Sequence, residues 1–373
     1  MTDPSDLPQP DRIEGAPHPR DTPVLIGQDA AQAAFLDACS SGRMHHGWLI
    51  TGPRGVGKAT LAGSVARFLL ATPPPGDSGL FGAAPPPGTL AVDPEHPVAR
   101  RIAAGSESGL LCIRRPWDDK TRKLKQQITV DEVRRLKSFF SLSATEGGRR
   151  VVIVDSADEM TTAAANALLK LLEEPPRNAV LLLVSHQPSR LLPTIRSRCR
   201  ELRLAALPPR DMQAALAQAG IDPGADAAAL AELSAGSVGE AVRLMNLGGL
   251  ALYRELVAIF ASLPRLDRTR ALKLAEAAAT RGAEDRLDLL LGLIDMVLAR
   301  LARTGVTGRP PAVEAAPEEA ALLMRLAPDA AHGRGWAELA QQVGARMQHG
   351  RAVNLDPAAL ILDTIIKCRK AAA

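Results

Sequence analysis

Apolar residues follow two patterns along this chain, and the change between them falls near residue 208. Up to that point short unbroken apolar runs alternate with stretches of helical spacing. Gln28 to Ser40 sets Ala31, Phe35 and Leu36 on or near one face, which predicts a helix. Trp48 to Thr51 reads as a short strand and Ala59 to Leu70 as the helix after it. Leu110 to Ile113 is a candidate strand. Thr129 with Glu132 three residues on has the form of a capping box, ahead of a helix to about Phe140. Val151 to Val154 is continuously apolar and ends at Asp155, as suits a strand inside a parallel sheet covered on both faces. A helix over Thr162 to Glu173 stops at Pro175 and Pro176. Val180 to Val184 forms a further buried strand ending at Ser185 and His186, and a short strand near Glu201 to Leu204 completes the set. This alternation predicts a doubly wound α/β domain with a parallel sheet.

After Pro208 and Pro209 the strand pattern stops. Asp211 to Gln218, Asp226 to Ser234 and Val238 to Met245 predict a small helical lid, punctuated by Gly220, Gly236 and Gly239. Beyond Gly248 the chain reads as long Ala/Leu helices, over about 251–263, 268–280, 285–303, 317–326, 335–349 and 357–370, which predicts an all-α bundle. The expected organisation is a flexible arm (1–22), an α/β domain (23–207), a helical lid (208–247) and a C-terminal helical domain (248–373). Two proline runs, Pro73–Pro75 and Pro85–Pro87, make 72–98 an excursion without regular structure.

Composition narrows the class. Hydrophobic residues make up 46% of the 373 and aromatics only 3%, so the core is aliphatic. The formal charge of +4, from 45 Lys and Arg against 41 Asp and Glu, is too small to indicate nucleic acid by itself. The cysteines at 39, 112, 199 and 368 fit no zinc or redox spacing, so no zinc is expected. The N-terminal 21 residues are polar and Pro-rich rather than a signal peptide, and a reducing cytoplasm is the expected location. The most apolar late segment, Leu287 to Leu301, carries Asp288, Asp295 and Arg300, which suits a buried helix rather than a membrane span.

The strongest chemical signal is Gly52-Pro53-Arg54-Gly55-Val56-Gly57-Lys58, a phosphate-binding loop between a strand and a helix. Gly52, Gly55 and Gly57 let the backbone close round phosphates, and Lys58 is the expected contact for the β- and γ-phosphates. The next residue should carry a hydroxyl for Mg²⁺ but is Ala59. Thr60 has one, displaced by about 100° on a helix. Asp155 ends its strand where a magnesium-organising carboxylate belongs, yet Ser156 follows where a hydrolytic protein would present a second carboxylate. Asp158 and Glu159 read as turn caps or arginine partners. The cofactor expectation is left open between a loop kept for its shape alone, with no cofactor, and ATP or ADP held without efficient hydrolysis; no metal site is assigned. Arg198, in Ser197-Arg198-Cys199, is either a salt-bridge partner or a finger reaching a phosphoryl group on a neighbouring subunit. Arg114, Arg115, Lys120, Arg122, Lys123 and Lys125 surround Trp117 and are either a DNA contact or a solvated basic loop.

Taken together, three stretches resemble the bacterial clamp-loader family of the AAA+ superfamily. They are His46 to Lys58, then Asp155-Ser156-Ala157-Asp158 with Ala163 to Pro176, and Leu192 to Cys199; the middle one is the most specific. The resemblance covers about residues 24–245 and implies an AAA+ domain, a lid and a C-terminal collar. It also implies membership of a five-subunit ring with gamma/tau and delta subunits that loads a sliding clamp onto primed DNA. In that family the position of Arg198 donates a finger to ATP on an adjacent motor subunit, and Ser185 and His186 fall where the first sensor lies. The second-sensor arginine of a Gly-Ser-x-Arg pattern corresponds to Gly239 in Gly236-Ser237-Val238-Gly239. Ala59, Ser156 and Gly239 thus all imply a non-hydrolysing member that completes a neighbour's site. The alternatives are an active ATPase motor with Thr60 or water at the metal, a nucleic-acid binding module, and a degenerate α/β scaffold.

Overall fold

The computed structural model describes residues 8–41, 44–72, 88–141, 148–280, 284–353 and 355–372. The proline runs fall outside this set. By internal contacts the chain divides into two compact units. One comprises residues up to Ile221 with Gly236–Glu240, and the other Asp222–Ala235 with the remainder from Ala241.

The first unit is a parallel sheet wrapped by helices. Its strands are β1 (Gly47–Thr51), β2 (Leu110–Arg114), β5 (Arg150–Asp155), β6 (Ala179–Val184) and β7 (Arg200–Arg203), in the spatial order β2-β5-β6-β1-β7. Trp117–Asp118 (β3) and Lys123–Leu124 (β4) pair as a separate antiparallel hairpin. The helices are α1 (Asp29–Ser40), α2 (Lys58–Ala71), α3 (Pro97–Ala103), α4 (Val130–Ser141), α5 (Thr162–Glu173), α6 (Pro193–Arg196) and α7 (Pro209–Gln218).

Both sheet faces are covered, which explains the unbroken apolar strands. Leu49, Val152, Val154, Leu181 and Leu183 pack into one core with Val133 and Leu136 of α4 and Leu168 and Leu172 of α5. The alternate residue Trp48 packs against Phe35 of α1, with ring centroids 4.9 Å apart and planes tilted by 57°. Strand β1 lies between β6 and β7, so the chain crosses over it between those strands. The carboxyl ends beside such a crossing are where open α/β sheets form a ligand crevice.

Three local features differ from the sequence reading. Helix α3 begins within the span read as irregular and extends past it, because Pro97 is tolerated in a first helical turn and His96 accepts from Val98 N–H at 3.2 Å. The hairpin β3–β4 has strands of only two residues, too short for a periodicity signal. Residues 8–22, read as a flexible arm, are seated on the domain. Buried Arg67 of α2 donates to the carbonyls of Arg20 at 2.6 Å and Thr22 at 2.7 Å, so the arm supplies the acceptors a buried guanidinium needs.

The second unit contains α8 (Ala227–Ser234), the end of α9 (Val238–Asn246), and helices α10 (Gly249–Ala261), α11 (Arg268–Ala278), α12 (Glu284–Thr307), α13 (Glu319–Leu326), α14 (Ala330–Ala352) and α15 (Pro357–Ala371). Helices α12 and α14 approach closely at Gly305 and Gly333; a Cβ added at Gly305 would sit 2.6 Å from the Gly333 Cα. The unit is pinned by a buried polar cluster. Glu319 accepts from the Tyr253 hydroxyl at 2.5 Å, from Arg300 at 2.8 Å and from the Ala315 N–H at 2.8 Å, while Arg300 also reaches Glu232 of α8 at 3.1 Å. No single helix among the described residues is long and apolar enough to cross a membrane.

Candidate nucleotide-binding and arginine-finger site

The phosphate loop joins β1 to α2, and its glycines are dictated by conformation and space. Gly55 and Gly57 have φ of +76° and +98°, in the left-handed region. A Cβ at Gly55 would lie 2.2 Å from Ser237 Oγ, and one at Gly57 2.6 Å from Leu25 Cδ1. At Gly52, with φ +137°, an added Cβ would lie 2.4 Å from the Leu204 carbonyl oxygen. Buried Gln28 clamps the loop to the β7 end: it donates to Ala205 O at 2.8 Å and Val56 O at 3.3 Å, and accepts from Ala205 N–H at 3.2 Å. Sequence reading missed this role, since a lone Gln before a helix carries no distinctive signal.

The loop's cation is turned inward. Lys58 is 3% exposed, and its Nζ donates to Gly52 O at 2.7 Å and also to Pro53 O. Burial lowers its pKa to about 8, against the raising influence of Asp155 and Asp158. The loop is also covered from Gly236–Glu240: Ser237 Oγ donates to Arg54 O at 2.9 Å and Gly239 N–H to Gly55 O at 3.0 Å. A Cβ at Gly239 would approach both Gly55 Cα and Ile13 Cδ1 to 2.9 Å. The absence of a side chain there is thus a packing requirement of this arrangement.

At the carboxyl end of β5, burial raises the Asp155 pKa to about 6, with the nearby Asp11 carboxylate adding to the effect. Ser156 Oγ donates to Asp155 at 3.1 Å and lies 2.9 Å from His186 Nε2. Burial, followed by the charge on Lys58, lowers the His186 pKa to about 4, so this ring is neutral at pH 7. The Asp158 carboxylate accepts from the backbone N–H groups of His186 at 2.9 Å and Gln187 at 3.3 Å, so it ties the loop after β5 to the end of β6 rather than capping its own turn. Ser185 is fully buried, and its hydroxyl and His186 Nδ1 have no hydrogen-bond partner. Both predicted sensor residues therefore stand beside the loop with unused polar atoms. A cleft of about 580 Å³ opens here at the ends of β1 and β7, lined by Thr51, Gly52, Pro53, His186, Glu201 and Arg203 among others.

These residues fit a magnesium–nucleotide only in part. The glycine backbone retains the shape that cradles phosphate, but Ala59 offers no oxygen to a metal and Thr60 lies one position further along α2. Lys58 would have to leave two carbonyl partners to reach a phosphate. Among the described residues no group of three or more His, Cys, Asp or Glu is arranged to hold a metal.

The basic cluster is dispersed by its surroundings. Arg114 pairs with Asp11 at 2.8 Å and with Gln9 at 2.9 Å. Arg115 Nε lies 2.8 Å from Glu159 Oε2, without hydrogen-bond geometry. These two arginines thus face acidic partners on the arm and on the loop after β5. Their acidic partners are distant in sequence, at positions 11 and 159. Lys120, Arg122, Lys123 and Lys125 are exposed on the β3–β4 hairpin.

Arg198 sits after α6. It pairs with Glu173 of α5 at 2.9 Å and donates to Thr194 O at 3.0 Å, with its side chain 38% exposed. Ser197 Oγ donates to the same carbonyl at 3.1 Å. Burial pushes the Cys199 thiol up to about 12, so it is an inert packing residue.

A glycine loop between β1 and α2, on a five-stranded parallel sheet, defines a P-loop α/β domain. Residues 27–208 match the family described as DNA polymerase III, delta subunit. The chain is 36% identical over 154 residues to DNA polymerase III subunit delta' of Pseudomonas aeruginosa, covering 41% of each chain. It is 34% identical over 215 residues to subunit delta' of Escherichia coli K12, covering 55% of this chain and 56% of that one. It is also 29% identical over 201 residues to subunit gamma/tau of Mycobacterium bovis, covering 52% of this chain and 30% of the relative. Over residues 27–208, just under half of its length, the chain is similar to the delta and delta' subunits of DNA polymerase III. It spans only about half, or less, of the length of these relatives.

Proposed function

We propose that this chain is the non-hydrolysing, delta-prime-type subunit of a clamp loader. It joins gamma/tau and delta subunits in a five-membered ring, helps to place a sliding clamp on primed DNA, and lends Arg198 to ATP bound by an adjacent motor subunit. The observation that carries the reading is the contrast between two cations. Lys58 is buried against its own loop beside Ala59, whereas Arg198 projects at the surface on a fixed base. A guanidinium donated across a boundary stabilises charge on the transferring phosphoryl group without needing magnesium or water on its own subunit. In this chain Gly52, Gly55 and Gly57 shape the loop, Lys58 donates to the Gly52 and Pro53 carbonyls, and Asp155, Ser185 and His186 form a polar wall.

The test is purification of the chain with its partners, followed by nucleotide analysis of the recovered complex. Gamma/tau and delta subunits should co-purify, with ATP or ADP in proportion to the motor subunits alone. A chain recovered without them, or alone with stoichiometric nucleotide that it hydrolyses with Mg²⁺, would contradict the proposal.

A second contact is favoured by exposure of the hairpin cations. In this reading Lys120, Arg122 and Lys125, all exposed, meet a phosphate backbone. Neutralising all three should flatten the salt dependence of DNA binding by the assembled complex; an unchanged slope would remove them.

A further inference from the structure

Glu173 occupies a position that helix electrostatics disfavours. It is the last residue of α5, followed by Glu174 and then Pro175 and Pro176, so two acids stand at the negative end of the helix dipole. Such carboxylates raise the local energy unless a cation answers them. Arg198 answers Glu173, with Nη2 2.9 Å from Oε1. The other terminal nitrogen, Nη1, donates to Thr194 O, so the guanidinium is gripped at two points and its plane is fixed.

The ground beneath this pair is rigid. Leu172, next to Glu173, is buried, and its carbonyl accepts from His46 Nε2 at 2.9 Å. Gly47, which opens β1, comes so close that an added Cβ would stand 2.9 Å from Leu172 Cδ2, 3.2 Å from Arg198 O and 3.3 Å from Cys199 Sγ. The first strand, the end of α5 and the Ser-Arg-Cys turn therefore meet at one close-packed point. The two long side chains emerge from it into solvent, 44% exposed for Glu173 and 38% for Arg198.

An exposed pair of this kind adds little to stability, so stability does not account for an acid at the unfavourable helix end. We infer that Glu173 is a positioning residue for Arg198, holding the guanidinium extended and oriented toward the neighbouring subunit. This rests on the proposed role of Arg198. Glu173 touches neither nucleotide nor reacting atoms; it acts by reducing the number of orientations the arginine must surrender when it meets the phosphoryl group.

The test uses the reconstituted clamp loader, with ATP turnover measured in the presence of clamp and primed DNA and assembly checked by gel filtration. Glu173→Ala should lower kcat several-fold at unchanged KM for ATP, with assembly intact, and Glu173→Asp should recover part of the loss. In an Arg198→Ala background, Glu173→Ala should change nothing further. An equal loss in that background would assign Glu173 a structural role and overturn the inference, as would full turnover by Glu173→Ala. Raised turnover by Glu173→Ala would mark the pair as a restraining latch and likewise overturn it. Normal turnover by Arg198→Ala would sink the finger role itself and this inference with it, which distinguishes that failure from the others.

Discussion

Asp155, the buried carboxylate at the end of β5, provides a quantitative test of the loop's electrostatics. Burial and the neighbouring Asp11 raise its pKa from 3.8 to about 6. Between those values the folded chain binds more protons at this group than the unfolded chain does. Stability therefore falls as pH rises through this window. The contribution is fully present below about pH 4 and lost above about pH 6; a displacement of about two pH units corresponds to about 3 kcal/mol. Asp155→Asn keeps an acceptor for the Ser156 hydroxyl and removes the titration. Urea unfolding of both proteins at several pH values between 4 and 7 isolates the effect, because other titrating groups cancel in the difference. The variant should gain about 3 kcal/mol relative to the parent from pH 4 to 7. Asp11→Asn should shift the parent's midpoint downward, since it removes the second-largest influence. A difference that stays constant over this range, or grows in the opposite direction, would refute the reasoning.

Gly55→Ala should destabilise the α/β unit by about 2–4 kcal/mol, through the left-handed backbone and the collision with Ser237 Oγ, as read by denaturant midpoint; a loss below 0.5 kcal/mol would mean that the strap over the loop is not held as described. Glu319→Ala should cost about 3–5 kcal/mol, since it leaves the Arg300 guanidinium, only 10% exposed, and the Tyr253 hydroxyl without their shared acceptor. Thermal unfolding followed by circular dichroism checks this, and an unchanged transition would show that the cluster relaxes.

Much of the α/β unit was legible because strands buried on both faces leave continuous apolar runs, as at Val151–Val154 and Val180–Val184, and because the loop glycines have few conformational substitutes. The hairpin at 117–124 was not legible, since two-residue strands have no period. The seating of residues 8–22 depends on Arg67 needing carbonyl acceptors 45 and 47 residues away in sequence, a pairing invisible to local pattern. The same limit applies to the charged positions. Arg114 and Arg115 looked available as part of a basic run, and only the fold brings Asp11 and Glu159 to them. Missing groups were easier to read: Ala59 lacks a hydroxyl in any environment. The seat of Arg198 on Glu173, by contrast, joins two motifs that each read as a separate signature.

The most direct measurement of the central claim compares Lys58→Met and Arg198→Ala in the assembled complex, by steady-state ATP turnover with clamp and primed DNA. A chain that lends a charge but runs no cycle of its own predicts near-parental turnover for Lys58→Met and a several-fold loss for Arg198→Ala, with both complexes intact. Collapse of turnover on Lys58→Met together with parental activity of Arg198→Ala would contradict the account.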